Sequence, residues 1–162
     1  MVSFELMSDN LVILLGEIIK NQNIVKYVSN NVKNPLSQPD ILLPAKNLIG
    51  SKLHPYPFDP VTTPEDSVEI RVYYPEGAID DSRAVLQTTI YVDIVCAKSL
   101  WLINDGKSGV RPYMIVHELF RQFNKKSVST IGRLDITGFD HLHVNDKFDA
   151  IRLHTQMVTF GG

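Results

Sequence analysis

Seven of the nine prolines in this chain of 162 residues fall between Pro35 and Pro64. Proline fixes φ and removes a backbone donor, so neither a long helix nor a central strand can run through residues 34–66. Yet the stretch is not simply polar, because Ile41, Leu42, Leu43, Leu48, Ile49, Leu53, Tyr56 and Phe58 lie within it. Prolines mixed with apolar residues predict an ordered connector laid on the domain surface rather than a free linker. A connection of this length usually serves function or an interface.

The flanks of the connector carry the periodic signals. Ser8, Asp9 and Asn10 offer helix-capping side chains. After them Leu11, Leu14, Leu15, Ile18, Val25 and Val32 recur on one side of a 3.6-residue period. This predicts an amphipathic helix over about 10–32, with a lapse near Asn21-Gln22-Asn23. Beyond the connector, Val68, Ile70 and Val72 alternate with Glu69, Arg71 and Tyr73, which marks a strand over 67–74. Turn-rich residues 75–83 follow, then a second strand over 84–96, rich in Val, Ile, Thr and Tyr. Together they predict an antiparallel hairpin with an extended tip. Asn104 to Gly109 reads as a loop, and 110–126 as a helix with Pro112 in its first turn. Its expected apolar arc is Tyr113, Val116, Leu119, Phe120 and Phe123, which leaves Met114 and Ile115 off the arc. Two further strands are expected over 130–136 and 148–160, joined by a polar loop over 137–147 that contains Gly138.

The element order α, connector, β, β, α, β, β predicts an α+β fold. We expect an antiparallel sheet of about four strands with an extended β-hairpin, packed against two main helices. The length suits a single domain over 1–162, with 67–160 carrying the β-β-α-β-β core. With 44% hydrophobic and 21% charged residues and a net charge of −2, the composition is that of a folded globular chain. The basic excess of a nucleic-acid binder is absent. The opening MVSFELMSDN has no basic residue ahead of the short apolar run, and that run is too brief to span a bilayer. The expectation is no membrane partner and residence in the compartment of synthesis.

Several groups of residues bear on chemistry. His117-Glu118 begins like a zinc-binding H-E-x-x-H motif, but Arg121 stands where the second histidine would be. Asp140, His141 and His143, with Asp146 nearby, form the densest set of potential ligands. With His117, Glu118 or His154 they could assemble a divalent-metal hydrolase site. Gly106-Lys107-Ser108-Gly109 resembles the end of a phosphate loop without its first glycine. Cys96, the one cysteine, lies in an apolar run with no neighbouring base, as a buried structural thiol would. No cofactor is expected. Trp101 and Tyr91 are candidate anchors or covers of the sheet. Glu76, Ile79, Asp80, Asp81 and Arg83 at the hairpin tip, with Trp101, Met114 and Ile115, are candidate contacts to other subunits.

The order of elements resembles the small neck and tail-terminator proteins of tailed bacteriophages over about residues 8–160. The matching features are the first helix, the connector with Leu43-Pro44 and His54-Pro55-Tyr56-Pro57, and the hairpin segments Ile70 to Tyr74 and Ile90 to Val95. Arg111-Pro112-Tyr113 at the second helix and the closing strand Ala150 to Val158 complete the match. The resemblance implies a structural virion protein, not an enzyme. It would form a homo-oligomeric ring, commonly a hexamer, at the head–tail junction. The ring would end the tail tube or join the tail to the head connector. Its partners would be the portal protein and the tail tube protein, with DNA passing through the lumen unread. Its location would be the virion neck, after assembly in the host cytoplasm. The connector is longer than in the shortest relatives. The rival readings are a metal-dependent hydrolase built on Asp140, His141 and His143, or a monomeric adaptor that binds peptides by strand addition.

Overall fold

Two strands distant in sequence form the centre of the sheet: Val85–Ala97 and Phe148–Val158 run antiparallel, with Ile94 opposite Ile151 and Val92 opposite Leu153. The computed structural model describes residues 3–42, 45–63, 65–79, 85–129 and 131–158. In chain order its strands are β1 (Leu53–His54), β2 (Val68–Tyr73), β3 (Gly77–Ile79), β4 (Val85–Ala97), β5 (Leu102–Asn104), β6 (Ser108–Val110), β7 (Lys126–Val128), β8 (Gly132–His143) and β9 (Phe148–Val158). Six of them form a curled sheet in the order β1-β2-β4-β9-β8-β7, while β3 pairs with β4 off that path and β5-β6 is a separate hairpin. All pairings are antiparallel except β1 with β2. The helices are α1 (Phe4–Ile18), α2 (Gln22–Ser29) and α3 (Arg111–Phe123). The α+β class and the four long strands match the sequence reading.

The first helical segment is two helices. Ser3, not Ser8 to Asn10, caps α1, its hydroxyl accepting the Leu6 amide hydrogen at 3.1 Å. The lapse at residues 21–23 is a break: Asn21 Oδ1 accepts from the amides of Asn23 and Ile24 and caps α2. Leu14, Leu15 and Ile18 of α1 and Ile24, Tyr27 and Val28 of α2 join Val68, Ile70, Val72, Ile90 and Ile94 in one buried cluster.

Alternation in β2 predicts one wet face, but all six residues are buried. The reason is the connector. Phe58 packs edge-on against Phe148, ring centroids 5.0 Å apart, over Val95, Ala97 and Ala150. The sheet is therefore covered on both faces near β2. The connector itself makes two short 3-10 turns, Pro35–Ser37 and Ala45–Leu48, and then supplies β1 as an edge strand.

The face of α3 differs from the expected arc. Arg111, Pro112, Ile115, Glu118, Leu119 and Phe123 are buried, whereas Tyr113 and Phe120 are 41% and 47% exposed. Ile115 is a core residue at 0% exposure, and Met114 packs partly buried against the same cluster, so neither stands out from the surface as an interface contact. Two polar residues, Arg111 and Glu118, belong to the buried stripe and hid the true period. Likewise, residues 137–143 are not loop. β8 continues through a bulge between Ile136 and Gly138 and pairs with β9 as far as His143 opposite Asp149.

Arg111 is 1% exposed and joins the layers. Its Nη1 donates to Tyr27 O at 2.8 Å and Asn30 O at 3.1 Å, Nη2 donates to Val32 O, and Nε donates to Leu100 O at 2.8 Å. Two of these carbonyls end α2, where the helix leaves its last acceptors unpaired and its dipole favours a cation. Burial pulls the guanidinium pKa below its usual value, yet the carbonyls hold the charged form. Arg111→Met preserves bulk and strands these acceptors. We expect it to lower unfolding free energy by about 3 kcal/mol or more, read as a lower urea midpoint with an unchanged slope.

Candidate functional site

The sheet face opposite the helices carries a row of polar side chains that are buried or nearly so. At its middle, Arg152 grips Asp93 with two hydrogen bonds, Nε to Oδ1 at 2.8 Å and Nη2 to Oδ2 at 3.0 Å. Tyr73 donates its hydroxyl to Asp93 Oδ2 at 2.6 Å and accepts from Arg152 Nη2 at 2.8 Å. Burial, then the bond to Asp93, pushes the Tyr73 pKa up, and the bonds to Asp93 push that of Arg152 up. The Arg152 guanidinium lies over the Tyr91 ring at 4.5 Å, which makes Tyr91 a cover of the sheet. His154 continues the row and bonds Asp140 Oδ2 at 2.6 Å.

Toward the β1 edge the row opens into a cleft of about 650 Å³ between the connector and the sheet. Its inner wall is Ser67, Glu69 and Arg71 of β2 with His54 of β1. Arg71 Nη2 donates to Glu69 Oε2 at 3.0 Å, and His54 Nδ1 meets the Tyr56 hydroxyl at 3.0 Å. Arg71 Nε and Ser67 Oγ are buried without a hydrogen-bond partner, and His54 Nε2 lies 3.4 Å from Glu69 Oε1. The rings of Tyr56 and Phe58 lie 5.3 and 5.4 Å from the guanidinium. Sequence reading missed this wall because alternating Glu69 and Arg71 suggest solvent. The signal was present in the connector, whose Tyr56 and Phe58 needed a surface to cover.

The ligand set of the rival hydrolase reading comes apart in the fold. Residues 140 and 141 point to opposite faces of β8. Asp140 pairs with His154, while His141 and His143 bond the two oxygens of Asp149 at 2.9 and 3.0 Å. Trp101 stacks on the His141 ring, centroids 5.6 Å apart and 22° from parallel. Glu118 is buried and accepts from Asn21 Nδ2 and Asn23 Nδ2, while His117 is exposed on α3. Among the described residues no group of three or more His, Cys, Asp or Glu is placed to hold a metal ion. Gly106 to Gly109 belongs to the β5–β6 hairpin, not to a helix entrance. Burial pushes the Cys96 thiol up to about 12, so it is an unreactive core residue.

Of the candidate contacts, Glu76 is exposed and Trp101 is half-buried on His141. Ile79 ends β3, and Asp80, Asp81 and Arg83 lie outside the described residues. The apolar side chains that do face solvent are others. Phe4 and Val12 project from α1 at 71% and 65% exposure. Tyr113, Phe120 and Phe139 project from α3 and β8, with the Tyr113 and Phe139 rings edge-to-face at 6.4 Å. Phe139 lies in a segment whose residues read as a turn, and Tyr113 and Phe120 fall on the apolar arc that the sequence predicts to be core.

A family model described as YomW matches residues 21–157, from the cap of α2 to the end of β9. The chain belongs to the YomW family. YomW is a phage-associated family, in line with the phage resemblance of the sequence. No curated protein and no solved structure matches the chain. Among the described residues of this YomW-family chain, no helix is long and apolar enough to cross a membrane.

Two measurements follow for this YomW-family fold. Burial alone would raise the Asp149 carboxyl, but bonds from His141 and His143 and the charge of Lys98 outweigh it and hold the pKa below the ordinary value. That contribution to stability is complete above the unfolded carboxyl pKa of about 4 and is lost as pH falls through the lower folded value. Asp149→Asn is therefore expected to flatten the acid limb of stability against pH below about 4, measured by urea midpoints. Asp93→Ala leaves Arg152 and Tyr73 without their acceptor. It is expected to cost about 3 kcal/mol, whereas Tyr91→Leu, which loses the Arg152 contact and the edge-on contacts to Tyr73 and His154, costs about 1 kcal/mol.

Proposed function

We propose that this YomW-family chain is a structural protein of the phage particle. In this reading its copies close into a ring at the head–tail junction and either end the tail tube or join the tail to the head connector. The observation that carries the reading is the exposure of large apolar side chains on different elements: Tyr113 and Phe120 on α3, Phe139 on β8, and Phe4 and Val12 on α1. Apolar side chains exposed on a surface favour contact with another protein. Exposure on different elements of one subunit suits a heterologous contact, which generates a ring when the rotation closes.

A hexamer is the stoichiometry suggested by the phage resemblance. One rim of the ring would meet the portal and the other the tube, and the near-neutral charge of −2 would let DNA pass without being gripped. The chain works in this reading as a joint rather than as a catalyst.

The decisive measurement is mass by light scattering and native mass spectrometry, with negative-stain images of the protein alone and with tail tubes. The expected result is a closed ring. Phe139→Asp is expected to weaken each contact by about 2 kcal/mol, giving monomers with an unchanged melting temperature. A folded monomer at every concentration that neither forms rings nor binds tubes would overturn the proposal.

A further inference from the structure

The cleft beside β1 has chemistry that a purely packing role leaves unexplained. Arg71 and Ser67 are 4% and 6% exposed, yet Arg71 Nε and Ser67 Oγ have no partner in the chain. A buried donor left unpaired is costly, so natural folds rarely keep one, let alone two on one wall. His54 lies beside them, its Nδ1 3.0 Å from the Tyr56 hydroxyl and its Nε2 3.4 Å from Glu69 Oε1. Arg71 Nε–H and Ser67 Oγ–H are thus two unpaired donors of residues that line the cleft.

We propose that this cleft binds a small carboxylate ligand. Arg71 Nε supplies the charge-assisted hydrogen bond, and Ser67 Oγ adds a second donor beside it. Glu69 does not oppose the ligand as a free charge, because its Oε2 is taken by Arg71 Nη2 and its Oε1 lies 3.4 Å from His54 Nε2. The remaining acidic residues of the lining, Asp59 and Glu65, are exposed at the rim, where water screens them. Tyr56 and Phe58, beside the guanidinium, fix its plane, as planar recognition of a carboxylate requires. A metal ion does not suit the site, because Arg71 is a fixed cation and the free groups are donors. The volume of about 650 Å³ admits a metabolite-sized acid or the side chain of an acidic residue from another copy. The proposal is independent of ring formation.

The test is a titration of the intact protein with acetate, followed by the side-chain nitrogen resonances of His54 and by calorimetry, with inorganic phosphate in parallel. The expected result is a saturable shift of the His54 signals with acetate. Ser67→Ala removes a hydroxyl that has no partner in the chain, so it should fold as the parent does and bind acetate roughly tenfold more weakly. Arg71→Gln should abolish binding. No saturable shift, tighter binding of phosphate than of acetate, or unaltered affinity in Ser67→Ala would each overturn the proposal, the last even if Arg71→Gln does not fold. Loss of acetate binding on oligomerisation, in a mass-resolved titration, would identify the natural ligand as a side chain of another copy. Retention would identify a free acid.

Discussion

The fold depends on a cation held by backbone oxygens. Arg111 lies where α2 ends, where the connector begins, where the turn before β5 passes and where α3 starts, and it donates to a carbonyl of each of the first three. An apolar side chain of equal size would fill the same space but leave those oxygens dry and unpaired. The guanidinium thus fixes how two helices and the connector meet, a geometry that nonspecific burial of Ile115 and Leu119 would leave loose. The same logic recurs at Glu118, which takes the amides of Asn21 and Asn23 and sets the angle between α2 and α3.

This explains which parts of the molecule could be read from sequence. The four long strands and the break at Asn21 follow from alternation, turn residues and capping side chains, signals that act locally. The face of α3 could not be read in that way, because its buried stripe includes Arg111 and Glu118 and polar residues are assigned to water by any hydrophobic period. The strand β8 was obscured for a related reason. Its Gly138 and its Asp and His residues suggest a turn, but pairing with β9 satisfies their backbone and their side chains pair with Asp149 and His154. The ligand set proposed from Asp140, His141 and His143 failed on parity, since neighbours along a strand cannot share a face.

The connector is the element whose character the sequence conveyed and whose effect it concealed. Its prolines exclude regular structure, and its apolar residues require a surface. That surface is the second face of the sheet, where Phe58 meets Phe148 and Tyr56 lies beside Arg71. Covering a sheet with irregular chain instead of a helix leaves gaps, and the gap at β1 is the polar cleft. A helix laid there would have satisfied its own backbone and presented a continuous side-chain surface. The proline-rich strap instead spans the edge and leaves His54, Ser67 and Arg71 facing open volume.

The pairing of β4 with β9 sets the order in which the molecule can be made. Ala97 meets Phe148, and everything between them, including α3 and β8, must be synthesised and looped back before the middle of the sheet can close. Such separation slows folding, because loop entropy is lost before the contacts that reward it. On the ribosome, α1, α2 and the hairpin of β2 with β4 would wait with one open strand edge until β9 emerges. Chains at that stage expose a template for strand pairing, so nascent neighbours must stay apart until β9 is inserted.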